Sequence, residues 1–316
     1  MTAHPATTPQ SDVSPGAMWF ALVVVYVAWG STYLGIRIVV EDMPPLLSAA
    51  ARFLTAAVLM GIFLAVRSGL GVLRVRPREL RGAAIVGILL LAGGNGGVVL
   101  GERTVPSGLA ALLVAMVPLW LILFRFAGGE RPRLLTWTGV LVGFVGLGVL
   151  VLPGGGAGGT TTGIVFIVGA TLCWSVGSFL SPRMPMPANP FVATVWEMLS
   201  AAIALVVLGT ARGERPSDFA EASTSSWIAL GYLVVFGSLV AYTAYVWLLQ
   251  NAPLALVSTY AYVNPVVAVL LGAVILAEPL TGAIVTGGAI VVVGVALVVQ
   301  AERPRSPVEE RETART

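Results

Sequence analysis

The chain has 316 residues, 57% of them apolar and only 10% charged, with a formal net charge of +3 and a mean hydropathy of +0.92. A soluble domain carries roughly 25% charged residues, so the charges are too few to build a water-facing surface and most of the surface must face lipid. A single cysteine (Cys173) and a single histidine (His4, in a polar stretch) exclude an internal disulfide and any His/Cys metal or catalytic cluster, and no cofactor is expected.

A hydrocarbon core of about 30 Å needs roughly 20 apolar residues in a helix. Residues 1–16 are rich in Pro and Thr and lack the basic start of a signal peptide, so they read as a disordered cytoplasmic tail before a true span. Ten segments of sufficient length and apolarity then follow: 17–39, 45–66, 82–101, 107–126, 134–152, 162–181, 190–210, 227–249, 254–276 and 281–300. Residues 301–316 form a second charged tail, and no loop is long enough for an extra domain. The expected fold is an all-α integral membrane protein.

The basic residues are all arginine. They crowd the loops after spans two and four (Arg67, Arg74, Arg76, Arg78, Arg81, Arg125, Arg131, Arg133), Arg183, and the C-terminal tail (Arg303, Arg305, Arg311, Arg315), against Arg103, Arg212 and Arg215 on the other side. The positive-inside rule then places both termini in the cytoplasm. Arginines dispersed in short loops do not form a nucleic-acid surface.

The chain repeats itself. At an offset of 145 residues Trp29 meets Trp174, Pro45 meets Pro190 and Arg52 meets Glu197. At 147, Pro106 and Pro118 meet Pro253 and Pro265, and at 148, Glu130, Gly139 and Gly146 meet Glu278, Gly287 and Gly294. The predicted units are a first repeat over 17–152 and a second over 162–300. Five spans per repeat force opposite orientations, the inverted-repeat plan of secondary transporters, whose substrate sits near the midplane between the halves.

Few polar groups lie within the spans. Span one carries Trp29 on a face with Tyr26 and Tyr33; its mate Trp174 shares a face of span six with Thr171 and Ser178. Arg52 shares a face with Ser48 and Thr55, and Glu197 with Thr194 and Ser200. Buried ionisable groups in membranes are costly and usually face a cavity or a partner. A direct Arg52–Glu197 pair is geometrically awkward: each lies seven residues past its proline from opposite surfaces, so their heights differ by roughly 10 Å. Arg52 is therefore a candidate for an anionic substrate group near the outer mouth or for pairing with Glu102, and Glu197 a candidate for a cation or a coupling proton near the inner side. Asn95, Tyr242, Tyr260 and Asn264 complete the candidate cavity lining. Pro118 and Pro265, each 11 residues into its span, are candidate kinks at mid-depth. Structural readings stand beside each of these: packing kinks, snorkelling charges and interhelical hydrogen bonds. Aromatic rings with scattered hydroxyls and amides suit an amphipathic organic solute better than a bare ion. GGNGG at 93–97 allows close helix contact. The chain holds no lysine and hence no P-loop, so ATP hydrolysis on this chain cannot drive transport.

WGSTYLGIR at 29–37, PPLLSAAARF at 44–53, NGGVVLGERTVPSGLAALLVAMVPLW at 95–120 and YAYVNPVVAVLLGAVILAEPL at 260–280 resemble EamA-type permeases of the drug/metabolite transporter superfamily. The resemblance runs through all ten spans. It implies two EamA repeats and movement of small metabolites across the bacterial inner membrane, often as export, but no particular substrate. In the family pattern the position of Glu197 is often an amide or another uncharged residue, which makes the carboxylate individual to this chain. The expectation is a secondary transporter, an exporter of amino acids, amines or drug-like solutes by alternating access. Its partners are the bilayer, a small-molecule substrate and, through Glu197, a proton; the oligomeric state is left open. An uncoupled facilitator or exchanger is the alternative within the class. An intramembrane enzyme is disfavoured because the spans carry no nucleophile–base or metal cluster.

Overall fold

A computed structural model describes residues 14–151, 158–252 and 254–302. The expected tails lie outside these residues, apart from their inner ends: helix already begins at Pro15 and runs through Ala301. The described residues are helical and contain no strand. With no water at membrane depth, each backbone N–H and C=O must be satisfied within its own segment, and helices do this.

Among the described residues, nine helices are long and apolar enough to cross a membrane: Pro15–Val39, Pro45–Ser68, Pro77–Gly101, Ser107–Ala127, Leu134–Val151, Thr161–Arg183, Pro190–Ala211, Thr224–Leu249 and Gly282–Ala301. They are spans one to eight and span ten. Span nine is shorter, a turn at Leu254–Val257 followed by the apolar helix Tyr260–Ile275. Local sequence sets several starts. Ser14, Thr160, Asn189, Ser223 and Thr281 accept hydrogen bonds from early helical N–H groups. Pro15, Pro45, Pro77 and Pro190 occupy first-turn positions, where a missing N–H costs nothing.

The two halves interlock. Span two packs on span seven, span five on span ten, and span four on span nine. Span one packs on spans eight and nine of the other half, and span six packs on spans three and four. The five–ten seam is made by glycine. A Cβ on Gly146 would stand 2.7 Å from Val291 N and 2.9 Å from Gly287 O, and one on Gly139 would stand 2.8 Å from Gly294 O. Small residues let these backbones approach where lipid supplies no hydrophobic drive.

Spans three and eight each contain a π-helical segment, Ile88–Asn95 and Leu233–Val240. They lie 145 residues apart, the offset that relates Trp29 to Trp174. Each segment receives the tryptophan of the opposite half: Trp29 Nε1 donates to Gly237 O at 3.2 Å, and the Trp174 ring lies where a Cβ on Gly94 would be. π-Segments misalign the backbone ladder and concentrate at functional places.

The proline breaks are less symmetric than the sequence offset implies. Span four divides into Ser107–Val114 and Val117–Ala127, with Pro118 in the first turn of the second piece. Pro265 lies inside the continuous helix Tyr260–Ile275, and span nine instead breaks at Ser258 and Thr259. Pro265 still withholds an N–H from the Ala261 carbonyl.

Candidate functional site

Both described chain ends lie on one face of the bundle, here the termini face; the opposite one is the far face. A cavity of about 480 Å³ lies toward the termini face, walled by spans four, six, nine and ten. Pro118, Leu121 and Ile122 form its deep side, with Ser178, Ser258 and Val299 around it, and Arg125, Glu130, Arg183 and Glu302 at its mouth. Arg125 joins Glu130 at 2.7 Å and Glu302 at 2.6 Å, and Glu302 also accepts from Thr136 Oγ1 at 2.9 Å. Arg125 and its two carboxylate partners are all partly solvated. The Arg125 guanidinium beside Glu130 holds that exposed carboxyl below the ordinary range.

The far face is closed by carboxylates that cap helix starts across the two halves. Glu278, after span nine, accepts from Ser107 N at 2.8 Å, Ser107 Oγ at 3.0 Å and Gly108 N at 3.1 Å, at the first turn of span four. Glu214, after span seven, accepts from Leu46 N at 3.2 Å and Leu47 N at 2.8 Å, at the first turn of span two. Asp42, between spans one and two, accepts from Ser223 N at 2.9 Å, where span eight begins. An acidic side chain at a helix start satisfies orphan N–H groups and complements the macrodipole. Burial pushes the Asp42 carboxyl up, but hydrogen bonds from Ser223 and Ser226 outweigh it and hold it below the usual value. Ala277, just before Glu278, has φ +52°, a left-handed conformation that a non-glycine residue adopts at a cost of about 1–2 kcal/mol. That turn returns the Glu278 carboxylate onto span four.

Between these faces the sequence-derived residues fall into separate groups. Arg52 is 7% exposed; its Nε donates to Ser238 Oγ at 2.9 Å, and its guanidinium lies 5.1 Å from the Phe53 ring centre. Asn95 and Ser48 join Arg52 around a narrow gap. Trp29, Tyr245 and Tyr260 form an aromatic cluster, with ring centroids 5.0, 5.3 and 5.7 Å apart. Asn264, one turn from Tyr260, is buried, and its Oδ1 has no hydrogen-bond partner. Tyr242 sits near Thr194 and Glu197. Trp174 stands apart, against the π-segment of span three. Of all the sequence candidates, only Pro118 borders the termini-face cavity.

Arg52 makes no ion pair with Glu197 or Glu102 among the described residues. Glu102 has 0% exposure, and neither carboxylate oxygen has a hydrogen-bond partner. Arg37 donates instead to the backbone carbonyls of Glu102 and Arg103, at 2.5 and 3.1 Å. Burial first and the charge of Glu278 second push the Glu102 carboxyl well above the ordinary carboxylate range, against smaller opposing pulls from Arg37 and Arg52. The far-face caps escaped sequence reasoning because each resembles an ordinary loop charge, and Glu102 entered it only as a candidate partner for Arg52. The signal present was the Glu130–Glu278 correspondence between repeats.

An interlocked ten-helix bundle with inverted halves and a one-sided cavity defines an integral membrane protein of transporter architecture. The EamA-like transporter family model matches residues 15–152 and again 161–300, and the chain belongs to that family. A relative in Escherichia coli K12, named the inner membrane transporter YedA, is 42% identical over 254 residues, 80% of each chain. A Streptantibioticus cattleyicolor protein named "Probable terminal-alkyne amino-acid exporter" is 27% identical over 284 residues, covering 89% of this chain and 93% of its own. One crystal structure with 23% sequence identity aligns with a TM-score of 0.62 over 91% of this chain and 99% of that one, a likeness of fold.

Proposed function

We propose that this protein is a bacterial inner-membrane secondary transporter that exports small zwitterionic or amphipathic metabolites, amino acids foremost, by alternating access. Both termini lie in the cytoplasm under this reading, following the arginine distribution, and the termini-face cavity is then an inward-facing vestibule. The reading is of transport rather than catalysis because the family model and the relative YedA are named as transporters.

One observation carries the reading. Glu278 and Glu130 are equivalent in the two repeats, yet Glu278 caps span four on the closed face while Glu130 is held by Arg125 beside the open cavity. Two symmetric positions in different engagements are what an inverted-repeat transporter shows at one end of its cycle. The substrate class is drawn from the aromatic cluster of Trp29, Tyr245 and Tyr260, the free acceptor of Asn264 and the buried cation of Arg52. Together they offer a wall, an amine acceptor and a carboxylate partner. The relative named as an amino-acid exporter supports the same choice.

The test is the thermal stability of the purified protein against a panel of amino acids, sugars, nucleosides and organic cations. A ligand that binds only the folded protein at 100 times its Kd stabilises it by about 2.7 kcal/mol. The reading predicts a shift with amino acids that is lost in Asn264→Ala and Arg52→Gln. A shift with sugars or cations alone would overturn the substrate class.

A further inference from the structure

We propose that Glu102 is a proton-binding site, loaded from water on the far face as that face closes, so that closure of the far gate takes up one proton. This rests on the alternating-access reading for its role in a cycle, but the protonation itself does not.

Glu102 follows the last residue of span three, at the far face, in the loop that leads to Ser107. It is fully enclosed, and both carboxylate oxygens lack partners. An ionised carboxylate in that position bears a desolvation penalty that only a paired cation or several donors could offset. The groups facing it do not supply them. From span one, the Arg37 guanidinium is turned to backbone carbonyls, and the Tyr33 phenol lies nearby. From span two, Arg52 donates its Nε to Ser238, lies by Phe53 and makes no ion pair with Glu102 among the described residues. From the end of span nine, Glu278 adds a second negative charge close by. From span six, Gly163 and Ile167 stand against Gly101, the residue before it. The neutral acid is the form this enclosure accepts.

Glu278 ties the enclosure to the gate. The Glu278 carboxylate holds Ser107 and Gly108, five and six residues after Glu102, and is near enough to feel the Glu102 charge. When that cap releases and span four swings from span nine, water reaches Glu102 and its proton leaves to the far-face solution. Re-closing expels the water and draws a proton from the same solution onto a carboxylate oxygen. Mass and charge balance, since the only species exchanged is the proton.

Two measurements on the full-length purified protein test this, and neither needs a transported substrate. The first is infrared difference spectroscopy at neutral pH. Wild type should show the C=O stretch of a protonated carboxyl that disappears in Glu102→Gln and persists in Glu278→Gln. Identical wild-type and Glu102→Gln spectra would mean that Glu102 is ionised and would overturn the proposal. The second is thermal unfolding against pH. A carboxyl whose folded-state pKa is raised contributes stability that is fully present below the ordinary value of about 4.3 and is lost as pH climbs toward the folded value. The unfolding constant of wild type relative to Glu102→Gln should therefore rise by up to tenfold per pH unit above about pH 5. A ratio that stays flat from pH 5 to pH 8 would overturn the proposal. Where Glu102→Gln fails to fold, the band is read in Glu197→Gln, which removes the acid of span seven: a band that remains there and is lost on raising pH supports the proposal, and its absence overturns it. A transport failure alongside a confirmed band would remove the cycle and leave the proton site standing.

Discussion

At the scale of single residues, the molecule relies on a few buried polar contacts that an apolar environment makes consequential. Arg52 depends on Ser238, whose hydroxyl accepts from its Nε inside the bundle. Ser238→Ala should therefore cost about 1.5–3 kcal/mol, the range for a bond to a charged group, when unfolding is followed in detergent micelles. A change below ~0.5 kcal/mol would show that Arg52 finds another acceptor. Asp42 offers a titration. Its carboxyl is held below the usual value, so its contribution is present above the ordinary Asp pKa and lost as pH falls through the depressed one. The stability difference between wild type and Asp42→Ala should thus shrink below about pH 4. A difference that grows with acid would reverse that assignment. Sequence alone identified Arg52 as enclosed, because a cation in an apolar run has few alternatives. It could not pick Ser238 over Glu102 as partner, since that depends on which helix of the other half arrives beside it.

At the scale of elements, the helices were legible because ten apolar runs of membrane length leave little else to form. Their interruptions were not. The π-segments at Ile88–Asn95 and Leu233–Val240 are as apolar as their flanks, so nothing in hydropathy marks them. The break in span nine falls at Ser258 and Thr259, whereas proline pattern reasoning points to Pro265. Glycine was readable as a contact residue in general but not position by position. On span five, a methyl group on Gly146 would meet backbone atoms of span ten, while one on Gly148 would have nothing within 4 Å. Gly146→Ala should destabilise by about 1–3 kcal/mol through overpacking. Gly148→Ala should be neutral or stabilise by up to ~1 kcal/mol, as helix propensity alone dictates. Equal effects at the two sites would contradict the seam.

At the scale of the whole molecule, two inverted halves are joined by carboxylate caps on the far face and by the Arg125 cluster on the termini face. The repeat was visible in the sequence as ordered Trp, Pro and Gly landmarks. The inequality of its two halves was not, because Glu130 and Glu278 are the same residue in the same place and differ only in what they hold. That inequality is the observation on which the proposal of alternating access rests, in which opening of one face would be linked to closure of the other. The most direct test uses a Cys173→Ser background with cysteines at Leu121 and Val299 in the vestibule and at Val105, which is fully buried near the far face. Bridging Leu121→Cys to Val299→Cys with a bifunctional reagent closes the termini side. Alternating access predicts that thiol labelling at Val105→Cys from the far side then rises severalfold; labelling that stays unchanged or falls would contradict it.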